Sequence, residues 1–197
     1  MRVFYAATAA NLVNCADALP KMDSVQEHHE RRVGDQLIEW YNRRHGASFR
    51  FDGRAGEAPD LKYREGRHWL RVEVTSAYYD PKDDAKFKWG AERQLPDTPT
   101  EWKGKDFEDY LVADINSVIA AKCSKAYGPN CLLAVYVDAD MTYADDMELL
   151  LKNITVPVTH RFEGIYLCGK FAVTVDSFFS GVRRDLRVWQ LYPKAAP

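Results

Sequence analysis

Residues 59–75, PDLKYREGRHWLRVEVT, constrain this chain more tightly than any other stretch. Leu70, Val72 and Val74 alternate with Arg71, Glu73 and Thr75, the period-two pattern of a strand with one face in a core. Leu61 and Tyr63 alternate in the same way with Asp60, Lys62 and Arg64, ahead of a tight turn at Glu65-Gly66-Arg67-His68. With that loop Arg64 pairs with Trp69, and Asp60 falls opposite Glu73. Directly paired residues carry their side chains roughly 5 Å apart on one face. Two carboxylates that close repel, and one resists ionising unless a cation is shared between them. A hard divalent ion such as Mg²⁺ relieves the conflict, because it takes carboxylate oxygens together with water and phosphate.

The chain has 197 residues, enough for one domain over residues 1–197 and too few for two comfortable ones. Apolar residues at 46% and charged residues at 28% describe an ordinary soluble globule. A formal net charge of −2 excludes coating a nucleic acid by bulk charge, so polyanion binding has to come from a local basic patch. Cys15, Cys123, Cys131 and Cys168 lack C-x-x-C spacing and lie mostly in apolar runs, which favours buried thiols in a reducing cytoplasm over disulfides. Residues 1–19 are Ala-rich, but Asn11 and Asn14 interrupt them and the charged start is thin, against a secretory signal. No stretch approaches the roughly eighteen apolar residues of a membrane span. The expectation is a cytoplasmic protein with no membrane partner. His28, His29, His45, His68 and His160 show neither H-E-x-x-H spacing nor cysteine partners, which argues against zinc. Neither a G-x-x-x-x-G-K-[ST] loop nor a G-x-S-x-G elbow occurs.

Residues 5–19 suggest a first helix, closed by Pro20. Ser24-Val25-Gln26-Glu27 fits a capping box for a second helix that runs to about Arg44 and ends at His45-Gly46. Its apolar stripe is Val33, Leu37, Trp40 and Tyr41. At about 100° per residue Glu30 falls inside that stripe and Glu27 at its margin. A carboxylate on a core-facing side needs a partner: solvent or an arginine at the helix end, or a metal. Residues 47–51 alternate Phe49 and Phe51 with polar residues as a short strand, and residues 52–56 read as a turn before the hairpin.

Residues 80–105 mix lysines with acids and contain three prolines, so a long loop is expected. Trp89 and Trp102 sit there among Lys86, Lys88, Lys103 and Lys105, a combination that can track a phosphate backbone and stack on bases, or merely cover a core edge. Residues 106–127 carry the strongest helical signal, with Phe107, Tyr110, Leu111, Ile115, Val118 and Ile119 on one face. Lys122 falls inside that face by angle and Lys125 at its edge, either snorkelling to water or turned to a site. Residues 131–137, CLLAVYV, suit a central strand covered on both faces. A helix over 142–153 with Met147, Leu150 and Leu151 inward follows, then strands over 162–168 and 171–175 around Gly169-Lys170, and a last strand over 187–192.

Pro59-Asp60, a short gap and Glu73-Val74-Thr75 at the end of an apolar strand resemble the PD-(D/E)XK nuclease superfamily, with Thr75 where the motif has lysine. The order helix, strand, strand, strand, then helix, buried strand, helix and strand also resembles that family. The resemblance implies an α/β fold of the restriction-endonuclease-like kind, a mixed β-sheet flanked by helices. It implies that Asp60, Glu73 and the carbonyl of Val74 hold Mg²⁺ or Mn²⁺, with Glu30 on the preceding helix as a further acid. Related sequences replace a missing motif lysine in space with one from elsewhere, and Lys122 or Lys62 is the candidate here. Thr75 keeps only a hydroxyl. The implied activity is metal-dependent phosphodiester hydrolysis, with nucleic acid, above all DNA, as partner, and it allows a homodimer. Lys86, Lys88, Trp89, Lys103 and Lys105 are the candidate nucleic-acid contacts. Two other readings stand beside it. One is a catalytically inactive module of that fold that binds nucleic acid or a protein. The other is an unrelated α/β protein in which Asp60 and Glu73 pair with Arg64 and Arg71.

Overall fold

The computed structural model of the chain describes residues 25–55, 58–77, 107–173 and 183–193. Helix α1 (Val25–His45) leads into strands β1 (Arg50–Arg54), β2 (Leu61–Glu65) and β3 (His68–Ala77). Helix α2 (Phe107–Cys123) precedes the long strand β4 (Cys131–Tyr143), helix α3 (Ala144–Leu150) and a 3₁₀ turn (Leu151–Asn153). Strands β5 (Gly164–Val173) and β6 (Arg183–Tyr192) complete a six-stranded mixed sheet in the order β1-β2-β3-β4-β5-β6. The β1–β2, β2–β3 and β5–β6 pairs are antiparallel, whereas β3, β4 and β5 run parallel. The α/β class expected from the sequence is therefore observed. No helix among the described residues is long and apolar enough to cross a membrane.

Period-two alternation splits the sheet into two apolar faces. On one, Leu70, Val72, Val74, Leu132 and Ala134 pack with Val33 and Leu37 of α1. On the other, Leu133, Val135, Ile165 and Leu167 pack with Leu111, Ile115 and Ile119 of α2 and Met147 of α3. The run Cys131 to Val137 is buried throughout, as a central strand with both faces covered requires. Helix α1 ends where expected, with Gly46 at φ +64. Gly34 lets it lie close to β2, since a Cβ there would meet the Leu61 side chain and the Tyr63 hydroxyl. In the hairpin Gly66, at φ +57, takes the first central position of a two-residue turn between Glu65 and His68.

Four features differ from the sequence reading. The first strand begins at Arg50 and runs through Asp52-Gly53-Arg54, read above as a turn. Gly53, at φ +134, absorbs a register shift there, and Asp52 binds Lys62 and Arg64 of the neighbouring strand. Gly169-Lys170 is no turn: β5 is one continuous strand, and a Cβ at residue 169 would strike the Val137 carbonyl and the Phe171 ring. That glycine is needed for close backbone approach instead. Tyr110 of α2 is 57% exposed rather than part of the inward face, and the helix stops at Cys123, short of Tyr127. Thr142 and Tyr143 belong to β4, so α3 starts at Ala144. Cys123, Cys131 and Cys168 are free and buried. The expected helix over 5–19, Cys15 and the loop over 80–105 with its lysines and tryptophans lie outside the described residues.

Because Val137 and Phe171 leave no room for a methyl group, Gly169→Ala should cost about 1–3 kcal/mol. Urea unfolding should show a lower midpoint with an unchanged slope; an unchanged midpoint would mean that β5 contains the turn expected from sequence.

Candidate active site

Over the paired residues the hairpin register is the one read from the sequence: Leu61 faces Val72 and Arg64 faces Trp69, and Asp60 comes just before Leu61, one step beyond the last pair. Glu73 lies level with Leu133 of β4, and thus points to the sheet face covered by α2. It is only 4% exposed. A charge so deep needs compensation. Lys122, one helical turn beyond Ile119, supplies it from the last turn of α2, with Nζ 2.5 Å from Glu73 Oε1. Tyr127 donates its hydroxyl to the same oxygen at 2.9 Å. Burial first, and the Glu73 charge second, push the Tyr127 phenol well above its usual range, so it remains a donor. Its ring packs against Phe162, 4.7 Å between centroids, which fixes the hydroxyl. Glu73 Oε2 is buried and has no hydrogen-bond partner among the described residues.

Asp60 sits at the end of β2, and its Oδ2 accepts the Val74 amide at 2.7 Å. Its pKa is pushed up from 3.8 to about 6, chiefly by burial and further by the charges of Glu73 and Glu30, while the Val74 amide and Lys122 oppose the rise. Burial, more than the repulsion foreseen between two acids, is what makes Asp60 hard to ionise. Lys122 relieves Glu73 directly and Asp60 only through space.

Glu30 is buried, 6% exposed, as its place in the helical stripe required. Its Oε1 accepts Gln26 at 2.8 Å and its Oε2 accepts Arg54 at 3.0 Å. Arg54 also lies 3.5 Å from Glu27. An arginine thus answers Glu30, which acts on Asp60 by its field rather than by joining a cluster. Lys62 is paired with Asp52 at 3.3 Å. Of the two lysines considered, Lys122 is the one on Glu73. Thr75 is partly buried two residues past Glu73, on the same side of the strand by alternation. Val74 turns its side chain into the α1-side core, and its amide serves Asp60. Arg64 reaches Asp52 at 3.5 Å and Arg71 donates to the Pro129 carbonyl at 2.6 Å, so neither takes the acid assigned to it in the unrelated-protein reading.

Among the described residues no group of three or more His, Cys, Asp or Glu side chains is gathered for a metal. The donor set that exists is a pair. Its chemistry suits a hard divalent ion, with carboxylate oxygens, a raised Asp60 pKa and one buried Glu73 oxygen lacking a partner. Sequence reasoning missed Tyr127 and Arg54. Tyr127 falls beyond the end of α2, where helical angles no longer apply, and Arg54 lay in the residues read as a turn. No family model, curated protein or solved structure matches the chain.

A carboxyl with a raised folded pKa opposes folding when ionised, so its penalty is absent below about pH 4 and complete above about pH 6. With metals chelated, Asp60→Asn should raise the melting temperature above pH 7, by on the order of 3 °C. That gain should vanish as pH falls through 6 towards 4 in calorimetric scans. A gain independent of pH would show that Asp60 is not under electrostatic strain.

Proposed function

We propose that the chain is a metal-dependent phosphodiester hydrolase acting on nucleic acid, with DNA as the polymer that the family resemblance implies. The observation that carries this reading is the meeting of Lys122 with Glu73, beside a carboxylate whose ionisation the site resists. A carboxylate of raised pKa beside a buried ion pair is typical of functional sites.

Asp60, Glu73 and the carbonyl of Val74 would hold Mg²⁺ or Mn²⁺. When bound, such an ion supplies a water of lowered pKa and polarises a phosphate oxygen. The chain's own residues do the rest. Lys122 takes the place of the cation that Thr75 cannot provide. From Glu73 its ammonium can swing to a phosphate oxygen and stabilise the charge that builds there. Tyr127 keeps Glu73 Oε1 oriented when the ammonium leaves. The Val74 amide fixes the Asp60 carboxylate, and Arg54 holds Glu30 in place behind it. Lys86, Lys88, Trp89, Lys103 and Lys105 are assigned to backbone contact on sequence grounds alone.

A second reading rests on the same ion pair. Because Lys122 already satisfies one Glu73 oxygen, the site can persist without metal as an inactive, nucleic-acid- or protein-binding module.

Nuclease assays on duplex DNA, single-stranded DNA and RNA with Mg²⁺ or Mn²⁺ separate the two. Cleavage should be abolished by Asp60→Asn and by Glu73→Gln, and Lys122→Met should slow it by about 10²–10³-fold. Cleavage that survives both carboxylate changes would remove the hydrolase reading; binding without cleavage would favour the module.

A further inference from the structure

A second feature lies on the α2 side of the sheet. An open cleft of about 640 Å³ forms between the end of α2 and the segment leading to β5. Its polar lining is Ser124, Lys125, Thr159, His160 and Arg161, and Ala120, Cys123, Ala126 and Pro157 supply the apolar part. Among the described residues, no acidic side chain lines it. Neither Lys125 nor Arg161 takes part in an ion pair among the described residues, and both are exposed. His160 packs edge-on against Tyr192, 4.4 Å between centroids, and its Nδ1 is buried without a hydrogen-bond partner among the described residues. The end of α2 would ordinarily repel an anion through its free carbonyls. Here the Ala120, Ala121 and Lys122 carbonyls accept the Ser124 amide, the Ser124 hydroxyl and the Lys125 amide, which blunts that repulsion. In a chain of net charge −2, a cleft that gathers Lys125, Arg161 and an imidazole with no acid among its described lining residues is a local departure.

We propose that this cleft is a phosphate-binding site, separate from the carboxylate–lysine cluster. Arginine offers a planar fork to phosphate oxygens and lysine a point charge, both stronger as charge-assisted bonds than neutral contacts. The volume falls in the roughly 300–1,000 Å³ range of small-ligand sites, and the apolar lining of Ala120, Cys123, Ala126 and Pro157 suits the apolar face of an attached base or sugar. The phosphate comes either from a free nucleotide or from a nucleic-acid strand.

Amide spectra of the full chain, titrated with inorganic phosphate, a nucleoside monophosphate and a short single-stranded oligonucleotide lacking a terminal phosphate, test this directly. Phosphate should saturate shifts at Ala126 and Arg161. Lys125→Gln/Arg161→Gln should weaken binding at least about tenfold, as the loss of two charge-assisted contacts implies. Arg43→Gln/Arg44→Gln removes equal charge from exposed positions on α1 and should change binding less than about twofold. Tighter binding of the mononucleotide assigns a free nucleotide, and tighter binding of the oligonucleotide assigns a strand. Three results overturn the proposal: no saturation, equal weakening in the Arg43/Arg44 control, or phosphate shifts that neither nucleotide ligand reproduces, which would mark an adventitious ion only. Asp60→Asn should bind phosphate like the wild type, so this site stands or falls apart from the hydrolase reading.

Discussion

The structure depends on one buried charge and what answers it. Glu73 sits in the middle of β3, under α2, where an ionised carboxylate without a partner would be too costly to keep. Lys122 reaches it because Leu111, Ile115 and Ile119 seat α2 on this face of the sheet and bring its last turn over β3. Tyr127 reaches the same oxygen because the chain turns back after Cys123 and packs its ring on Phe162. Moving the helix by one turn would strand both donors.

Buried ion pairs contribute little to net stability, because desolvation offsets most of their attraction, and apolar replacements of similar volume are often as stable. Stability alone is therefore a weak reason for Glu73, Lys122 and Asp60 to share this place. The pair is also lopsided: Glu73 has a lysine and a phenol, whereas Asp60 has an amide and two neighbouring negative charges. One more positive charge would balance the arrangement. That imbalance, rather than any single residue, is what the proposed metal chemistry rests on.

Much of this was legible in the sequence because its periods are short. Two-residue alternation fixed the face of Glu73, and the short turn fixed the register of β2 on β3, from Leu61 against Val72 to Arg64 against Trp69. Helical angle put Glu30 and Lys122 on inward faces, where both are found. What was hidden is contact between elements far apart in the chain. Nothing local announces that Arg54 answers Glu30, because Gly53 makes its strand look like a turn. Gly169 misleads in the same way, since a glycine required by close packing against Val137 reads like one required by a bend. Tyr127 and His160 lie outside regular elements, where no periodicity assigns a direction.

The account stands most directly on calorimetric titration of Mn²⁺ into the chelator-treated protein near pH 7.5. It expects one saturable site per chain that disappears in both Asp60→Asn and Glu73→Gln while the folded signal of each variant persists. Heat that never saturates, or a site equally strong when either carboxylate is neutralised, would contradict it.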